Sequence, residues 1–293
     1  MGGTKIKSRS QRIGDWVIVA LCVFVIFICL LPMLNILARS LSSPHALMRN
    51  EVLLWPKGLN FDAYKYVLND KTYTWAMTWT AILTVSGMVL SLVMTTICAY
   101  PLIYPQLKGR GFINTFIIFT MYFNAGTIPM YLLLKDLKML NKPVVLLVPY
   151  CLSVFNMIIM KSFFYSIPDS LRESAQIDGA GPVKVLISIY LPLSTPVIAT
   201  LALFYAVGRW NGFHDALMFM NVRKYYPIQL LLYNLINAIS SIEVAIQEGF
   251  STPGLNETIK TASVMFATVP ILLVYPFLQR YFITGATLGA IKE

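Results

Sequence analysis

Long uncharged apolar runs alternate with short polar interludes along this chain. The runs cover residues 16–38, 72–107, 111–134, 143–160, 185–208 and 261–279. A bilayer hydrocarbon core about 30 Å thick is crossed by roughly 20 apolar helical residues, so this spacing predicts six transmembrane helices. The second run is long enough to begin with an interfacial stretch around 73–79, where Tyr73, Trp75 and Trp79 suit the headgroup layer. A seventh uncharged run, 225–242, carries Gln229, Asn234, Asn237, Ser240 and Ser241. These groups are costly against lipid, so a water-facing or re-entrant helix is expected there rather than a span.

The polar interlude at 166–192 has an internal pattern of its own. Glu173-Ser-Ala-Gln-Ile-Asp-Gly179-Ala-Gly-Pro182 reads as a helix, a glycine hinge and a second helix. Asp169 or Ser170 can cap the first helix, and Ser170-Leu-Arg-Glu173 fits a capping box in which Glu173 reaches back to the cap amide. Gly179 supplies a left-handed stop, and Pro182 suits the first turn of the next helix. A bent helix pair between two spans must face water, where another protein can push on it.

Composition agrees with the membrane reading. Charged residues make up 12% of the 293 positions and hydrophobic ones 57%, against about 25% charged in a soluble domain. The net charge of +10 is scattered over short loops without a basic face interleaved with aromatics. Anionic headgroups rather than nucleic acid account for it. The cluster Lys5, Lys7, Arg9 and Arg12 favours a cytoplasmic N-terminus, although segments expected outside are also basic. The first run is too long for a cleaved signal peptide and has no small-residue cleavage site before Arg39. Cys22, Cys29, Cys98 and Cys151 all fall in apolar runs without metal-ligand spacing and act as small apolar residues. His45 and His214 lack partners at catalytic spacing.

The 173–192 pattern, closing on Leu191-Pro192, resembles the EAA loop of ABC importer permeases, with Ser174 in place of the usual first alanine. Phe204-Tyr-Ala-Val-Gly-Arg-Trp210-Asn211, Tyr226-Pro-Ile-Gln and the C-terminal Gly285-Ala-Thr-Leu-Gly-Ala-Ile-Lys-Glu293 resemble other segments of the carbohydrate-uptake family. The branch is the one related to the maltose transporter's smaller permease. The 123–129 and 210–217 passages are similar to oligosaccharide and polysaccharide importers, including the alginate type.

The resemblance implies an all-α bundle of six transmembrane helices with a cytoplasmic EAA loop, in a bacterial inner membrane with both termini cytoplasmic. It implies a cytoplasmic tail at 1–15, a first helix at 16–38 and an external segment at 39–71. A permease core follows at 72–284, with the loop at 166–192 and an external segment at 212–260, and then a tail at 285–293. Implied partners are a second homologous permease, two ATPase subunits, an extracytoplasmic solute-binding protein, an oligosaccharide and membrane lipid. No cofactor is expected in this chain, since ATP and Mg would sit in the ATPases; the chain has no Gly-x-x-x-x-Gly-Lys-Ser/Thr stretch.

Within the loop, Glu173, Ser174, Ala175, Asp178, Gly179 and Ala180 are the expected ATPase-coupling residues, and Ala175, Ile177 and Ala180 either a docking face or a core face. Glu173 can cap its helix, meet a basic residue of the ATPase, or do both. Sugar recognition needs aromatic platforms and hydrogen-bond partners inside the bundle. Asn124, Tyr150, Asn156, Trp210 and Asn211 are the candidates for the substrate path, with Tyr122 and Tyr205 beside them. Asn124, next to Ala125-Gly126, sits where a helix can break. Arg209 could meet an acidic sugar or mark the outer end of its helix. The six runs contain no Asp or Glu, which argues against ion-coupled secondary transport, and no catalytic constellation supports a membrane enzyme. An amino-acid or metal permease would share the loop; Trp210-Asn211 and Asp178-Gly179-Ala180 favour sugar.

Overall fold

The computed structural model describes residues 9–247 and 254–290, with side chains described over 13–239, 257–274 and at 276. All regular structure among these residues is helical. The chain divides into two compact units, Met1–Asp70 with Asn234–Phe266, and Lys71–Tyr233 with Ala267–Glu293. Lys5, Lys7, the Arg9 and Arg12 side chains and the last three residues lie outside the described set.

In the first unit, α1 (Arg9–Ser40) is a 32-residue helix with Pro32 inside it. Its side chains from Ile13 through Pro32 are all exposed, as expected of a helix apolar all round that is solvated by lipid. It leads into α2 (Pro44–Met48), whose Ser43 cap accepts from the Ala46 amide, and α3 (Asp62–Asn69). Arg39 and Glu257 form an ion pair of 2.9 Å. A small apolar cluster gathers Ala38, Ala46, Leu47 and Val52.

The second unit is built on α4 (Lys71–Ala99). Its buried positions are Ala76, Thr80, Leu83, Thr84, Gly87, Ser91, Thr95, Thr96 and Ala99. They recur every three or four residues and are nearly all small, which lets neighbouring backbones approach closely in the absence of a hydrophobic drive between helices. The larger Ile82, Val85, Val89, Val93 and Ile97 are exposed on other faces. Against α4 lie α7 (Val154–Ser166) and α11 (Thr195–Asn211).

Between α4 and α7 come α5 (Arg110–Tyr122) and α6 (Thr127–Asp136), bent by 115° at their junction. After α7 come α8 (Asp169–Ile177) and α9 (Pro182–Val185), a π-helical turn at Leu186–Tyr190 and α10 (Leu191–Leu193). The segment Pro182–Leu193 then meets α11 at 82°. The unit continues through α12 (His214–Phe219) to a 3-10 turn at Arg223–Tyr225. Two further helices, α13 (Ile228–Gln247) and α14 (Gly254–Ala290), each run through both units. The main buried core includes Phe164, Tyr190, Met157, Met160, Leu201 and Tyr100.

Three described helices are long and apolar enough to cross a membrane: Ile13–Ser40, Lys71–Ile103 and Glu257–Val274; the two bent pairs bring the number to five. The remaining run, 143–160, is not one helix. Pro143 opens a 3-10 turn over Pro143–Leu146, and α7 begins only at Val154, behind its Ser153 cap, then continues to Ser166. Pro149 explains the gap, because a proline removes a backbone donor and restricts the residue before it. The 225–242 run becomes helical from Ile228, and its apolar described part, Ile228–Ile239, is shorter than a span. The C-terminal stretch expected as a short tail continues α14 as far as Ala290.

Candidate functional site

The polar loop is built around Gly179. Its φ is +76°, in the left-handed region that disfavours a Cβ. The Ala180 amide donates to the Ala175 carbonyl at 2.9 Å and the Gly179 amide to that of Gln176 at 3.0 Å. These two bonds form a Schellman motif that satisfies the orphan carbonyls at the end of α8. Gly181 then precedes Pro182, which stands at the first turn of α9. The expected helix–glycine–helix is therefore present.

The expected cap at its start is not. Pro168, with φ −59° and ψ 131°, is the residue before α8, and no side chain caps the helix. Helical geometry consequently begins at Asp169, which places Asp169 one position and Ser170 two positions inside the helix, too far for either to cap it or for Ser170 to form a capping box. Asp169 instead pairs with Arg172 at 2.9 Å. Glu173 is free of the capping role and exposed, as are Ser174 and Asp178.

The docking-face expectation also divides. Ile177 is 86% exposed, but Ala175 and Ala180 pack against the main core. Helical geometry explains this: Ala175 shares its face with buried Arg172 three residues earlier, while Ile177 projects away.

Three tyrosines tie this loop to the body. Tyr100 donates to the Pro182 carbonyl at 2.9 Å and is hydrogen-bonded to the Tyr104 hydroxyl. The Arg172 guanidinium, almost buried, lies 5.2 Å from the Tyr104 ring centroid. Tyr100 meets Tyr190 edge-on at 5.2 Å, and Tyr190 meets Phe164 at 5.4 Å. Sequence reading singled out none of these tyrosines. A tyrosine at the end of an apolar run looks like an ordinary headgroup anchor, and only the fold shows that the rings face one another.

A second arrangement lies toward the other end of α4. A cavity of about 360 Å³ is lined by Thr80, Tyr150, Ser153, Asn156, Tyr205 and Arg209, among others. Tyr150 and Asn156, expected on the substrate path, are thus brought together. Asn156 is buried and borders the cavity. Tyr205 is occupied structurally, its hydroxyl 2.7 Å from Thr95 Oγ1 and accepting from the Ser153 amide at 3.3 Å.

Asn124, Trp210 and Asn211 do not line this cavity. Asn124 Oδ1 accepts from the Gly126 amide at 2.9 Å, forming the turn that bends α5 into α6. Trp210 Nε1 donates to the Ala267 carbonyl at 3.3 Å, joining α11 to α14, and Asn211 is exposed at the end of α11.

Arg209 is a structural cation. It donates to the Leu146 carbonyl at 2.7 Å, lies 3.5 Å from Asp215 Oδ2 and stands 6.0 Å from the Tyr150 ring centroid. A Cβ on Gly87 would meet the Arg209 side chain at 3.3 Å, so that glycine makes room for the arginine. Burial pushes the Asp215 carboxyl above its ordinary range, while Arg209 and then His214 pull it back. Asp215 was missed in the sequence. The available signal was Arg209 itself, since a buried cation requires a counter-charge nearby.

A family model described as "Binding-protein-dependent transport system inner membrane component" matches residues 87–287, which hold the loop and the cavity lining except Thr80 and Leu83. The chain belongs to this family. The permease is 36% identical over 284 residues to the polygalacturonan/rhamnogalacturonan transport system permease protein YtcP of Bacillus subtilis, covering 97% of this chain and 99% of that one. It is 39% identical over 267 residues to Protein LplC of the same organism, covering 90% of each. Among solved structures it resembles a chain from a bacterial ABC transporter involved in the import of the acidic polysaccharide alginate. That match has a TM-score of 0.85 at 34% identity and covers 95% of this chain and 100% of that one. The permease is thus a multi-pass inner-membrane subunit of a binding-protein-dependent transport system, and not itself an enzyme.

Proposed function

We propose that this permease passes an oligosaccharide, received from an extracytoplasmic solute-binding protein, and that its α8–α9 loop receives the stroke of ATP hydrolysis. Two ATPase subunits, which hold ATP and Mg, dock there, and a second homologous permease completes the pathway. The N- and C-termini lie on the ATPase side.

The observation that carries the coupling reading is the contrast between the two faces of the loop. Its base is tied down through Tyr100, Tyr104 and Arg172. Its outer face offers the Glu173 and Asp178 carboxylates beside Ile177 and Val183, which are 86% and 69% exposed. Exposed apolar side chains rimmed by charge mark an interaction surface, and a loop held firmly at its base moves as one with the helices behind it. Support for the substrate class comes from relatives whose named substrates are polygalacturonan, rhamnogalacturonan and alginate. All three carry uronic acids, so an acidic saccharide is the favoured cargo.

The test is ATP hydrolysis by the reconstituted complex with its binding protein, over a panel of neutral saccharides, oligouronides, amino acids and metal ions. Stimulation by a saccharide is expected. Stimulation by amino acids or metals and by no saccharide overturns the substrate reading. For coupling, Glu173→Lys should detach the ATPases or uncouple their hydrolysis from uptake; wild-type hydrolysis and uptake in that variant refute the loop's role.

A further inference from the structure

The amino-terminal end of α4 carries a feature that neither the coupling loop nor the cavity uses. Lys71, Thr72, Trp75, Ala76, Arg223 and Lys224 line an open recess of about 670 Å³, within the size range of small-molecule sites. Half of these side chains are cations. Among the described residues no carboxylate lies within 4.0 Å of Lys71, Arg223 or Lys224, although other charged groups in the chain are paired at that distance. Like charges brought together without a counter-ion repel one another, so the arrangement favours an anion.

The recess has a fixed frame. Trp75 Nε1 donates to the Lys224 carbonyl at 2.7 Å and Trp79 Nε1 to the Tyr225 carbonyl at 2.9 Å. These bonds join α4 to the 3-10 turn Arg223–Tyr225, so cations from two distant stretches of chain are held on one wall. With its N–H satisfied, Trp75 has its ring left to offer, and 42% of the residue is exposed. Charge alone would suit any anion; a ring beside the charge suits an anion carried on a flat, partly apolar body.

The position of the recess is also informative. The coupling loop meets the chain just past the other end of α4, where Tyr100 bonds to Pro182. The 29 residues of α4 separate the two ends by about 42 Å at about 1.5 Å per residue, roughly the thickness of a whole bilayer. If the loop faces the ATPases, the recess faces the side from which the saccharide arrives.

We infer that the Lys71–Trp75–Arg223–Lys224 recess is an entry site for uronic-acid sugars, binding their carboxylates through the three cations and a sugar ring against Trp75. This rests on the proposed function for the sidedness and for the acidic cargo. Contacts of this kind, exposed and salt-screened, give a weak and quickly reversible site, as passage requires.

The test uses the complete transporter in nanodiscs of zwitterionic lipid without its binding protein. Trigalacturonate and the neutral maltotriose are titrated by calorimetry and tryptophan fluorescence. Trigalacturonate should bind, more weakly as salt rises, and maltotriose should not. The triple variant Lys71→Gln/Arg223→Gln/Lys224→Gln should weaken trigalacturonate binding about tenfold, and Lys71→Arg/Lys224→Arg should restore it. Trp75→Leu should weaken binding and remove the fluorescence response.

Unchanged trigalacturonate binding in the triple variant overturns the inference. So does the absence of trigalacturonate binding in the wild type, or a cation-dependent association with phosphatidylglycerol nanodiscs that trigalacturonate does not displace; in that case the recess is a lipid-headgroup contact. The parallel hydrolysis assay with binding protein keeps the two readings apart. If saccharides stimulate hydrolysis but the triple variant binds trigalacturonate normally, only the entry site fails. If no saccharide stimulates hydrolysis, the proposed function fails, and the binding titration still decides the recess.

Discussion

Replacing Gly179 tests the loop through backbone geometry alone. At φ +76°, a residue with a Cβ is disfavoured by about 1–2 kcal/mol. A Cβ built there meets nothing within 4 Å, so no packing clash adds to that figure. Part is offset because alanine restricts the unfolded chain, by about 0.4–1 kcal/mol. The net cost of Gly179→Ala is then about 1 kcal/mol, roughly a fivefold increase in local opening. Gly179→Val should cost more, because a β-branched residue tolerates positive φ least. Gly179→Asn should be close to neutral, since asparagine visits the left-handed region routinely. Opening would break the two bonds that close α8, so hydrogen exchange at the Gly179 and Ala180 amides reads it directly. In the assembled transporter, uptake per ATP hydrolysed should fall in the order Gly, Asn, Ala, Val. If alanine and valine leave amide protection unchanged, the strain argument is wrong. If asparagine is as damaging as valine to coupling while protection stays high, the requirement is for a bare surface against the partner, not for a left-handed turn.

The remaining expectations follow from neighbouring features. Tyr100→Phe removes the donor to the Pro182 carbonyl and should destabilise the loop's attachment by about 1 kcal/mol, seen as faster exchange in α9 with helix content unchanged. Gly126 lies at φ 90° and ψ 174°, a region essentially reserved for glycine, so Gly126→Ala should cost about 1–3 kcal/mol in thermal stability of the detergent-solubilised chain. Because burial raises the Asp215 carboxyl, its protonated form is favoured in the folded chain. Stability from this group is complete below the ordinary carboxylate range and lost as pH rises through the raised value; Asp215→Asn should flatten that dependence in a melting series across acidic pH. An alkaline-phosphatase fusion after Glu293 should be inactive if the C-terminus is cytoplasmic, and activity there refutes the proposed orientation.

Periodicity and turn chemistry, both local, were legible in the residues. Uncharged runs too long and too apolar for a soluble core dictated the helical membrane class. Gly179 followed by Pro182 dictated a helix stop and restart, because few other residues adopt that backbone and few other positions accept proline. The break beside Asn124-Ala-Gly126 was legible for the same reason. What failed was also local, where two signals competed: Pro168 put the start of α8 two residues before the one the capping box requires and so dissolved the box, and Pro149 divided a run that hydropathy alone joins.

The rest depends on residues distant in sequence. That Arg209 is consumed by Leu146 and Asp215, that Tyr100 reaches across to Pro182, and that Lys71 shares a recess with Arg223 and Lys224 are outcomes of helix packing. A side chain's partners are set by the rotation and register of the helices on which it sits. The small-residue stripe on α4 announces that neighbours come close. Only the packed bundle decides which side chains then meet.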